Sequence, residues 1–334
     1  MNAESNFTKK DFTPSGEVKW CAGCGDFGIL SQTIKVLSET GKSPEEFAFI
    51  SGIGCSSRFP YYVDTYGFHT IHGRALAIAT GTKIANPDLS VWVAMGDGDG
   101  LAIGGNHFLH AVRRNVDMVC ILMDNQIYGL TKGQFSPTSF RGQKTKTAPL
   151  GTMEDPIDPV ALTMGLNGTF VARTSDRNPK HMHEVITRAY KHKGFSLVHV
   201  LQNCPIFNDG AFEKESNKET RADATLMLKQ GEKMLFGKES EKCIVSTGFS
   251  PKVALVADVD EKDILVHDEH QAGLGHFLAQ IQGENFPKPL GVFIEREAPT
   301  IDQEYVTQNN SVIEKKGRGT IKSLLEAGDT WTVG

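Results

Sequence analysis

The sequence predicts an α/β fold in which a mostly parallel sheet carries helices on both faces. Short apolar segments alternate with helix-like segments from the N-terminal region to about residue 207, which is the pattern of repeated βαβ units. The chain has 334 residues, enough for one large domain or two modest ones at roughly 150 residues per domain. Its hydrophobic fraction of 39% and charged fraction of 22% are those of an ordinary globular protein.

The predicted strands are short apolar or β-branched segments bounded by Gly, Asp, Asn or Pro. They are Phe47–Ser51, Val91–Met95, Met118–Met123 and Ser196–Gln202. The segments between them have the length and apolar spacing of helices, namely Phe27–Glu39, Arg74–Ala85, Ile103–Arg114 and His181–Lys191. Gln134–Pro156 is rich in Ser, Thr, Pro and Gly, and predicts a long loop of the kind that is usually functional or disordered.

The chain beyond residue 207 is predicted to be an extension or subdomain, which divides the protein into residues 1–207 and 208–334. Asn208–Lys242 is strongly charged and predicts a solvated, helix-prone segment. Two further strands and two further helices are predicted after it, at Cys243–Thr247, Asp263–His267, Gln271–Gln282 and Thr320–Ala327.

Composition and charge exclude several classes of protein. The net charge of −5 argues against nucleic acid as the main partner, because binding to phosphates favours a basic surface. The N-terminal segment has no apolar stretch typical of a signal peptide, and no apolar run approaches the roughly 20 residues that span a bilayer. Six cysteines are too few for a disulfide scaffold and indicate thiols or metal ligands. We therefore expect a cytoplasmic protein without a membrane segment.

An acidic residue between glycines follows the predicted strand Val91–Met95. Asp97 lies between Gly96 and Gly98, where the backbone can approach a ligand closely and a carboxylate suits Mg²⁺. Asn125 follows the next of these strands. Because ligands bind beyond the carboxyl ends of strands in an open α/β sheet, Asp97 and Asn125 are predicted to reach one metal. The helix that begins near Ile103 offers its N-terminus to a diphosphate. The alternative is an ordinary Asp-Gly turn and an Asn cap.

Four cysteines are placed where they could share one cluster. Cys21 and Cys24 form a Cys-x-x-Cys pair, while Cys55 and Cys204 each follow a predicted strand. Such a pair serves zinc, iron–sulfur clusters or redox dithiols, and single distant partners suit a larger cluster as well. The alternative for Cys55 and Cys204 is that they are small buried side chains. Two further cysteines lie in or at the start of apolar strands and are predicted to be packing residues, Cys120 and Cys243.

Several segments between Lys19 and Pro205 together form a recognisable series. They are Trp20-Cys-Ala-Gly-Cys-Gly, Gly52-Ile-Gly-Cys-Ser-Ser-Arg, His69-Thr-Ile-His-Gly-Arg-Ala, Gly96-Asp-Gly-Asp, Gly104-Gly-Asn-His, Asp124-Asn-Gln-Ile-Tyr-Gly-Leu-Thr-Lys-Gly-Gln and Asn203-Cys-Pro. In this order they resemble the β subunit of the 2-oxoacid:ferredoxin oxidoreductases, which has the thiamine diphosphate-binding fold.

The resemblance implies two resident cofactors. The cysteines that match the family's ligands to a [4Fe–4S] cluster are Cys21, Cys24, Cys55 and Cys204. Mg²⁺ would be held by the side chains of Asp97 and Asn125 and by the backbone carbonyl of Ile127, and would in turn hold the diphosphate of thiamine diphosphate. Further cofactor contacts are implied at Ile53, Gly54, Cys55, His72, Gly96, Gly98, Asp99, Gly129, Leu130 and Thr131.

The loop from Tyr128 to Thr138 resembles the 2-oxoglutarate branch of the family. 2-Oxoglutarate has a distal carboxylate that pyruvate lacks, and Lys132 is a flexible cation able to pair with a substrate carboxylate. Arg58 and His72 are further candidates for contact with substrate or cofactor. The alternatives are an ordinary exposed lysine at position 132 and a helix-capping or core histidine at position 72.

The implied reaction converts 2-oxoglutarate, coenzyme A and oxidised ferredoxin into succinyl-CoA, CO₂ and reduced ferredoxin, or runs in reverse. The glutamate that this fold uses at the cofactor's aminopyrimidine ring comes from the partner chain in two-subunit members, and no residue here is assigned to it. We therefore expect an α subunit partner and an (αβ)₂ assembly. The open alternatives are pyruvate or another 2-oxoacid as substrate, a thiamine-dependent decarboxylase without a cluster, and a non-catalytic iron–sulfur or zinc module.

Overall fold

An eight-stranded sheet forms the centre of the computed structural model, which describes residues 7–283 and 285–334. The order across this sheet is β2-β1-β3-β4-β6-β5-β11-β7. The strands are β1 (Phe47–Ser51), β2 (Tyr66–His69), β3 (Ser90–Gly96), β4 (Met118–Asp124), β5 (Phe170–Ser175), β6 (Phe195–Leu201), β7 (Thr225–Met227), β8 (Leu235–Phe236), β9 (Lys242–Thr247), β10 (Ser250–Leu255) and β11 (Lys288–Glu295).

The first six strands of the chain pair in parallel, so their carboxyl ends lie at one edge of the sheet. In register, Ser51 of β1 lies beside Ala94 of β3, and Asp124 of β4 lies beside Leu201 of β6. The final strand β11 joins β5 in the antiparallel direction, and β7 pairs in parallel with β11. A second, three-stranded antiparallel sheet is formed by β8, β9 and β10.

Helices cover both faces of the large sheet. They are α1 (Asp26–Ser38), α2 (Ala75–Ala85), α3 (Asp97–Leu101), α4 (Gly105–Arg113), α5 (Pro159–Gly165), α6 (Pro179–Lys191), α7 (Glu213–Ser216), α8 (Arg221–Ala224), α9 (Ala272–Ala279), α10 (Ile301–Lys316) and α11 (Ile321–Leu325). Side chains of α1 and α6 share a buried cluster with Trp92, while those of α2, α4, α5 and α9 share the opposite cluster with Val91 and Val93. Successive residues of β3 thus point to opposite faces, as strand geometry requires.

Local sequence signals explain where several helices begin. Asp158 and Asn178 precede α5 and α6, and their side chains accept hydrogen bonds from Ala161 N at 2.9 Å and from His181 N at 3.3 Å. Proline occupies the first position of both helices. A capping side chain followed by proline is favourable at a helix start because the first backbone N–H groups have no partner within the helix.

The predicted fold class is confirmed, and the four strands and four helices predicted before residue 207 are present within a few residues of their predicted bounds. The predicted strand Asp263–His267 is wrong, because this segment makes only isolated bridges through Ile264 and Val266. The helix-prone prediction for Asn208–Lys242 is mostly wrong as well. That segment contains the single-turn helices α7 and α8 together with β7 and β8.

The chain after residue 207 contributes directly to the large sheet. Its strands β7 and β11 extend the sheet beyond β5, and α9 packs on β11 and α5. The division into residues 1–207 and 208–334 stays a prediction, with the second part sharing a sheet with the first. Among the residues that the structure describes, no helix combines the length and the apolar character needed to cross a bilayer.

Candidate functional site

Four neighbouring strand ends bring together the segments singled out in the sequence. β1, β3, β4 and β6 are adjacent and parallel. Cys55 lies beyond the end of β1, Asp97 follows β3, Asn125 follows β4 and Cys204 lies beyond β6. The proposed magnesium ligands and two of the proposed cluster ligands therefore occupy one edge of the sheet.

Asp97 is the first residue of the short helix α3, and its side chain is buried. Its Oδ2 accepts hydrogen bonds from Ser136 Oγ and, at 2.6 Å, from Thr138 Oγ1. Burial and the nearby charge of Asp124 raise the pKa of Asp97 to about 7. Burial disfavours the charged form of this carboxyl group, and a bound cation would offset that cost. The position therefore suits a divalent metal.

A line of buried hydrogen bonds leads away from this carboxyl group. Thr138 Oγ1 also lies 2.7 Å from Asp124 Oδ1, and Asp124 Oδ2 lies 2.9 Å from His199 Nε2. Arg173 Nε is 3.0 Å from His199 Nδ1, and Arg173 Nη2 is 2.5 Å from Asp158 Oδ2. Burial lowers the pKa of His199, which keeps its ring neutral. Because Arg173 can only donate, the ring proton is on Nε2 and is donated to Asp124.

Asn125 and Ile127 lie in a tight turn beyond β4. Asn125 Oδ1 accepts a hydrogen bond from Ile127 N at 3.2 Å, and Gln126 between them has a φ of +58°. The carbonyl of Asn125 accepts from Asn208 Nδ2 at 2.9 Å, which ties this turn to the segment after Cys204. The turn therefore fixes the side-chain amide oxygen of Asn125 and the backbone of Ile127, the two remaining proposed magnesium ligands.

The oxygen donors at this edge suit Mg²⁺, an ion that is usually held only in part by protein side chains. Within residues 7–283 and 285–334, no three His, Cys, Asp or Glu side chains converge closely enough to hold a metal ion. Asp97, Asn125 and Ile127 offer one carboxylate, one amide oxygen and one carbonyl. Mg²⁺ usually takes one or two carboxylates and completes its shell with water and phosphate oxygens.

Asp99 connects two loops at the same edge. Its Oδ1 accepts hydrogen bonds from Ile53 N at 3.1 Å, Gly73 N at 2.7 Å and His72 Nδ1 at 2.8 Å. Its Oδ2 is buried and has no hydrogen-bond partner in the described part of the chain. A Cβ atom at Gly52 would lie 2.0 Å from that oxygen, so position 52 requires glycine. The structure thus gives His72 and Ile53 a shared contact with Asp99.

Gly98 makes room for an aromatic side chain that the sequence analysis did not single out. Tyr128 Oη donates a hydrogen bond to Gly98 O at 3.0 Å, and a Cβ atom at Gly98 would lie 2.3 Å from the Tyr128 ring. Burial raises the pKa of Tyr128 to about 12. Tyr128 therefore connects the Gly-Asp-Gly turn to the loop that carries Lys132.

Gly129 lies between two of the proposed cluster ligands. A Cβ atom added there would be 3.7 Å from Cys204 Sγ and 3.8 Å from Cys55 Sγ. The two thiols therefore face the same small space, which a side chain at position 129 would fill. Trp20 Nε1 donates to Cys55 O at 2.7 Å and holds the Cys55 backbone near the Cys21–Cys24 segment.

The Cys-x-x-Cys segment is held against the Cys204 segment. Cys24 N donates to Cys21 O at 3.1 Å, and Gly25 N donates to Asn203 O at 3.2 Å. Burial raises the pKa of the Cys24 thiol, with a further contribution from Asp26. Burial, Asp26 and the other two cysteines raise the pKa of Cys55 to about 11. All four thiols are free.

The other two cysteines are packing residues, as predicted. Cys120 is fully buried in the cluster that covers one face of the large sheet, and Cys243 is fully buried in a small cluster of the second sheet. Neither lies at the edge that carries the four thiols. The division of the six cysteines into four and two therefore agrees with their burial.

Lys132 occupies an exposed hairpin turn. Tyr128 N donates to Gln134 O at 2.8 Å, and Gly133 N donates back to Tyr128 O at 2.9 Å. Lys132 has a φ of +76°, a conformation that costs a non-glycine residue about 1 kcal/mol or more. Thr131 and Leu130 are exposed beside it. No ion-pair partner for Lys132 is found in residues 7–283 and 285–334, so its ammonium group is available to a ligand.

Arg58 is directed toward the cysteines. Its Nε donates to Tyr62 Oη at 2.7 Å, and its guanidinium carbon lies 5.6 Å from the centre of the Tyr62 ring. Arg58 N also donates to Cys55 O at 3.2 Å. These contacts place Arg58 on the Cys55 side of the site, and none of them joins it to Lys132 or Asp97.

Sequence reasoning missed the polar contacts of the long loop. Ser136 and Thr138 lie in Gln134–Pro156 and contact Asp97, while Ser139 Oγ donates to Gln126 O at 2.6 Å. The signal that could have identified them is the run of hydroxyl side chains directly after the Lys132 turn. Residues with hydroxyl groups are the natural donors to a buried carboxylate.

Comparison with known proteins identifies the same region. Residues 52–200 match the family described as "Thiamine pyrophosphate enzyme, C-terminal TPP binding domain". The chain is 46% identical over 331 residues, 97% of its length and 88% of the relative's, to "2-oxoglutarate oxidoreductase subunit KorB" of Mycobacterium tuberculosis. It is 51% identical over 200 residues, 59% of its length and 65% of the relative's, to "2-oxoacid:ferredoxin oxidoreductase subunit beta" of a Sulfolobus species.

A solved structure resembles the whole chain. It is the 2-oxoglutarate:ferredoxin oxidoreductase from Magnetococcus marinus with 2-oxoglutarate, coenzyme A and succinyl-CoA bound, which aligns over 97% of each chain with a TM-score of 0.76 and 37% identity. The relationship extends well beyond the thiamine-binding region and includes the strands after residue 207. The chain therefore belongs to the family of 2-oxoacid:ferredoxin oxidoreductase β subunits.

Proposed function

We propose that this chain is the β subunit of a 2-oxoglutarate:ferredoxin oxidoreductase that carries thiamine diphosphate, Mg²⁺ and one [4Fe–4S] cluster. The observation that carries the proposal is the single sheet edge at which Asp97, Asn125, Cys55 and Cys204 follow four adjacent parallel strands. The complex would convert 2-oxoglutarate and coenzyme A into succinyl-CoA and CO₂ while reducing ferredoxin, and a strong reductant would drive the reverse reaction.

The diphosphate and its metal would be held at the ends of β3 and β4. Asp97 and Asn125 would ligate Mg²⁺ through their side chains, and Ile127 through its carbonyl oxygen. Thiamine diphosphate, when bound, supplies the nucleophilic carbon and the electron sink that decarboxylation of a 2-oxoacid requires. The buried network behind Asp97 keeps the carboxylate in place and excludes water from it. The further cofactor contacts proposed around it are Ile53, Gly54, His72, Gly96, Gly98, Asp99, Gly129, Leu130 and Thr131.

The cluster would be held by Cys21, Cys24, Cys55 and Cys204. Support comes from the four free thiols and from the space beside Gly129 that Cys55 and Cys204 face. A single zinc ion, with Zn–S distances of about 2.3 Å, would require the four sulfurs to converge more tightly. A cluster with several iron atoms takes sulfurs that lie further apart.

The substrate would approach from the Lys132 turn. The ammonium group of Lys132 is the proposed partner of the distal carboxylate of 2-oxoglutarate, with Leu130 covering its methylene groups. His72 would meet substrate or diphosphate through Nε2, because Nδ1 already contacts Asp99. Arg58 is the weakest of the three proposed contacts, since its guanidinium group is directed to Tyr62 near the cysteines.

A partner chain would cover the mouth of the site. Ile53, Ile71, Ile103 and Leu130 lie around this edge and are 37%, 74%, 54% and 51% exposed. A group of exposed apolar side chains around a polar site is typical of a surface that is buried in an assembly. We propose that the α subunit covers it and supplies the remaining catalytic groups, that the complex is (αβ)₂, and that it works in the cytoplasm.

A substrate panel tests this proposal. The α and β chains are produced together, purified without oxygen, and assayed for viologen or ferredoxin reduction with 2-oxoglutarate, pyruvate and branched-chain 2-oxoacids in the presence of coenzyme A. We expect 2-oxoglutarate to give the highest kcat/KM. A preference for pyruvate would reject the substrate assignment, and activity of the β chain alone would reject the need for a partner.

A further inference from the structure

The side-chain amide of Gln202 reaches the Cys-x-x-Cys segment from the end of β6. Gln202 is 1% exposed, and its Nε2 lies 3.3 Å from Cys24 Sγ and 2.7 Å from Asn203 O. A carbonyl oxygen only accepts hydrogen bonds, so the amide nitrogen and not the amide oxygen must face Asn203. The second N–H of the same nitrogen is then left for the sulfur of Cys24.

Backbone contacts fix this arrangement on both sides. Gln202 N donates to Asp124 O at 2.9 Å, which holds the glutamine at the end of the sheet. A Cβ atom at Gly25 would lie 3.0 Å from Gln202 Cγ and 1.9 Å from Asp176 Oδ2. The absence of a side chain at Gly25 is therefore what lets Gln202 approach the cysteine segment. The backbone N–H of Gln202 also connects it to Asp124, at the end of the strand that leads to Asn125.

A thiolate sulfur has no proton and can only accept hydrogen bonds. The N–H of Gln202 is the donor that a thiolate at this position needs.

We propose that Gln202 is a positioning residue that donates a hydrogen bond to the Cys24 thiolate and raises the reduction potential of the cluster. This inference rests on the proposed function, because it requires the cluster. Hydrogen bonds to cluster sulfurs stabilise the reduced form more, since that form is more negative. Gln202 would then help the cluster to accept electrons from the 2-oxoacid.

Substitution of Gln202 by methionine or glutamate removes the N–H donor with little change in side-chain volume. In the purified αβ complex, we expect Gln202→Met to lower the reduction potential by about 59 mV, equivalent to a tenfold weaker one-electron reduction. Gln202→Glu should lower it further, because a carboxylate repels the thiolate. Gln143→Met is the matched control, since Gln143 is also buried but its amide faces Gln126 O at 3.3 Å. The cluster in this variant should have the same reduction potential as in the wild type.

A measurement on the unaltered complex covers the case in which the variants lose the cluster. The complex is prepared with glutamine labelled with heavy nitrogen in the side-chain amide, and the reduced cluster is studied by pulsed electron paramagnetic resonance. We expect a weak coupling to one labelled nitrogen. A cluster signal without this coupling, or an unchanged potential in Gln202→Met with full iron content, would overturn the inference alone. Absence of any cluster signal from the reduced wild-type complex would overturn the proposed cluster itself.

Discussion

His199 Nε2 lies 2.9 Å from Asp124 Oδ2, and this buried pair connects Arg173 to the proposed magnesium site. Asp124 is the last residue of β4 and directly precedes Asn125. The neutral histidine accepts from Arg173 on one ring nitrogen and donates to Asp124 from the other. The position of the strand end that presents Asn125 therefore depends on a histidine that does not itself reach the cofactor edge.

Replacement of His199 should destabilise the fold and weaken cofactor binding. His199→Leu removes one buried hydrogen-bond partner from Asp124 and one from Arg173, and each loss costs about 1–3 kcal/mol. His199→Gln keeps a donor and an acceptor and should lose less. Urea unfolding of the αβ complex and the Kd for thiamine diphosphate measure the two effects. Equal stability of the Leu and Gln variants would contradict the assigned role.

Asp97 should contribute to the stability of the metal-free protein at about pH 4, and this contribution should be lost as pH rises to about 7. Asp97 has a pKa raised to about 7 in the fold against an ordinary value of 3.8, chiefly through burial. Between these values the folded state holds a proton that the unfolded state has lost, so the free energy of unfolding decreases with pH. Urea unfolding in the presence of a chelator, at pH values from about 4 to 8, measures the slope.

Asp97→Asn should remove this contribution, so the free energy of unfolding of the wild type should fall more between pH 4 and pH 7 than that of the variant. Asp88→Asn, at an exposed position, is the control and should leave the slope unchanged. Added Mg²⁺ with thiamine diphosphate should stabilise the wild type more at pH 8 than at pH 6, since the ion replaces a proton. An equal change in the free energy of unfolding of the wild type and of Asp97→Asn between pH 4 and pH 7 would refute the assignment.

Gly129→Ala should reduce cluster content while leaving the fold intact. The added methyl group would sit at ordinary contact distance from Cys55 Sγ and Cys204 Sγ, so the fold can accommodate it, but it would occupy the space between the thiols. Iron and acid-labile sulfide analysis of the αβ complex measures the loss. Gly165→Ala, where a Cβ atom meets nothing within 4 Å, should keep its full iron content. Equal iron in both variants would place the cluster elsewhere.

Lys132→Ala should affect 2-oxoglutarate more than pyruvate. Loss of a charged hydrogen bond of about 1.5–3 kcal/mol corresponds to a rise in KM for 2-oxoglutarate of about tenfold to a hundredfold. Lys144→Ala is the matched control, because Lys144 is another exposed lysine of the same loop. Steady-state kinetics with both substrates decides the matter. A uniform loss with both substrates would indicate that Lys132 only maintains the turn.

The strands that were predicted have strong local signals, and those that were missed do not. β1, β3, β4 and β6 are buried on both faces and appear as continuous apolar segments. β5 (Phe170–Ser175) contains Arg173, whose guanidinium group contacts His199 and Asp158 in the folded chain. β11 begins with Lys288-Pro289, and its place beside β5 depends on tertiary contacts that a local pattern does not contain.

The site shows the same division between local and long-range information. The Gly-Asp-Gly turn and the cysteines could be identified because each is a short motif next to a strand end. The contacts of Thr138 with Asp97 and of Gln202 with Cys24 join residues 41 and 178 positions apart. Such contacts are created by the parallel alignment of the strands, so they could be found only once the fold was known.

The most direct test of the central claim is whether 2-oxoglutarate reduces an iron–sulfur cluster held by this chain. The oxidised αβ complex is mixed without oxygen with 2-oxoglutarate, in the absence of ferredoxin, and followed by visible absorption and electron paramagnetic resonance. We predict a reduced [4Fe–4S] signal that requires thiamine diphosphate and Mg²⁺ and that is lost in Cys55→Ser and Asp97→Asn. A complex that binds thiamine diphosphate and decarboxylates 2-oxoglutarate but shows no such signal would contradict the claim.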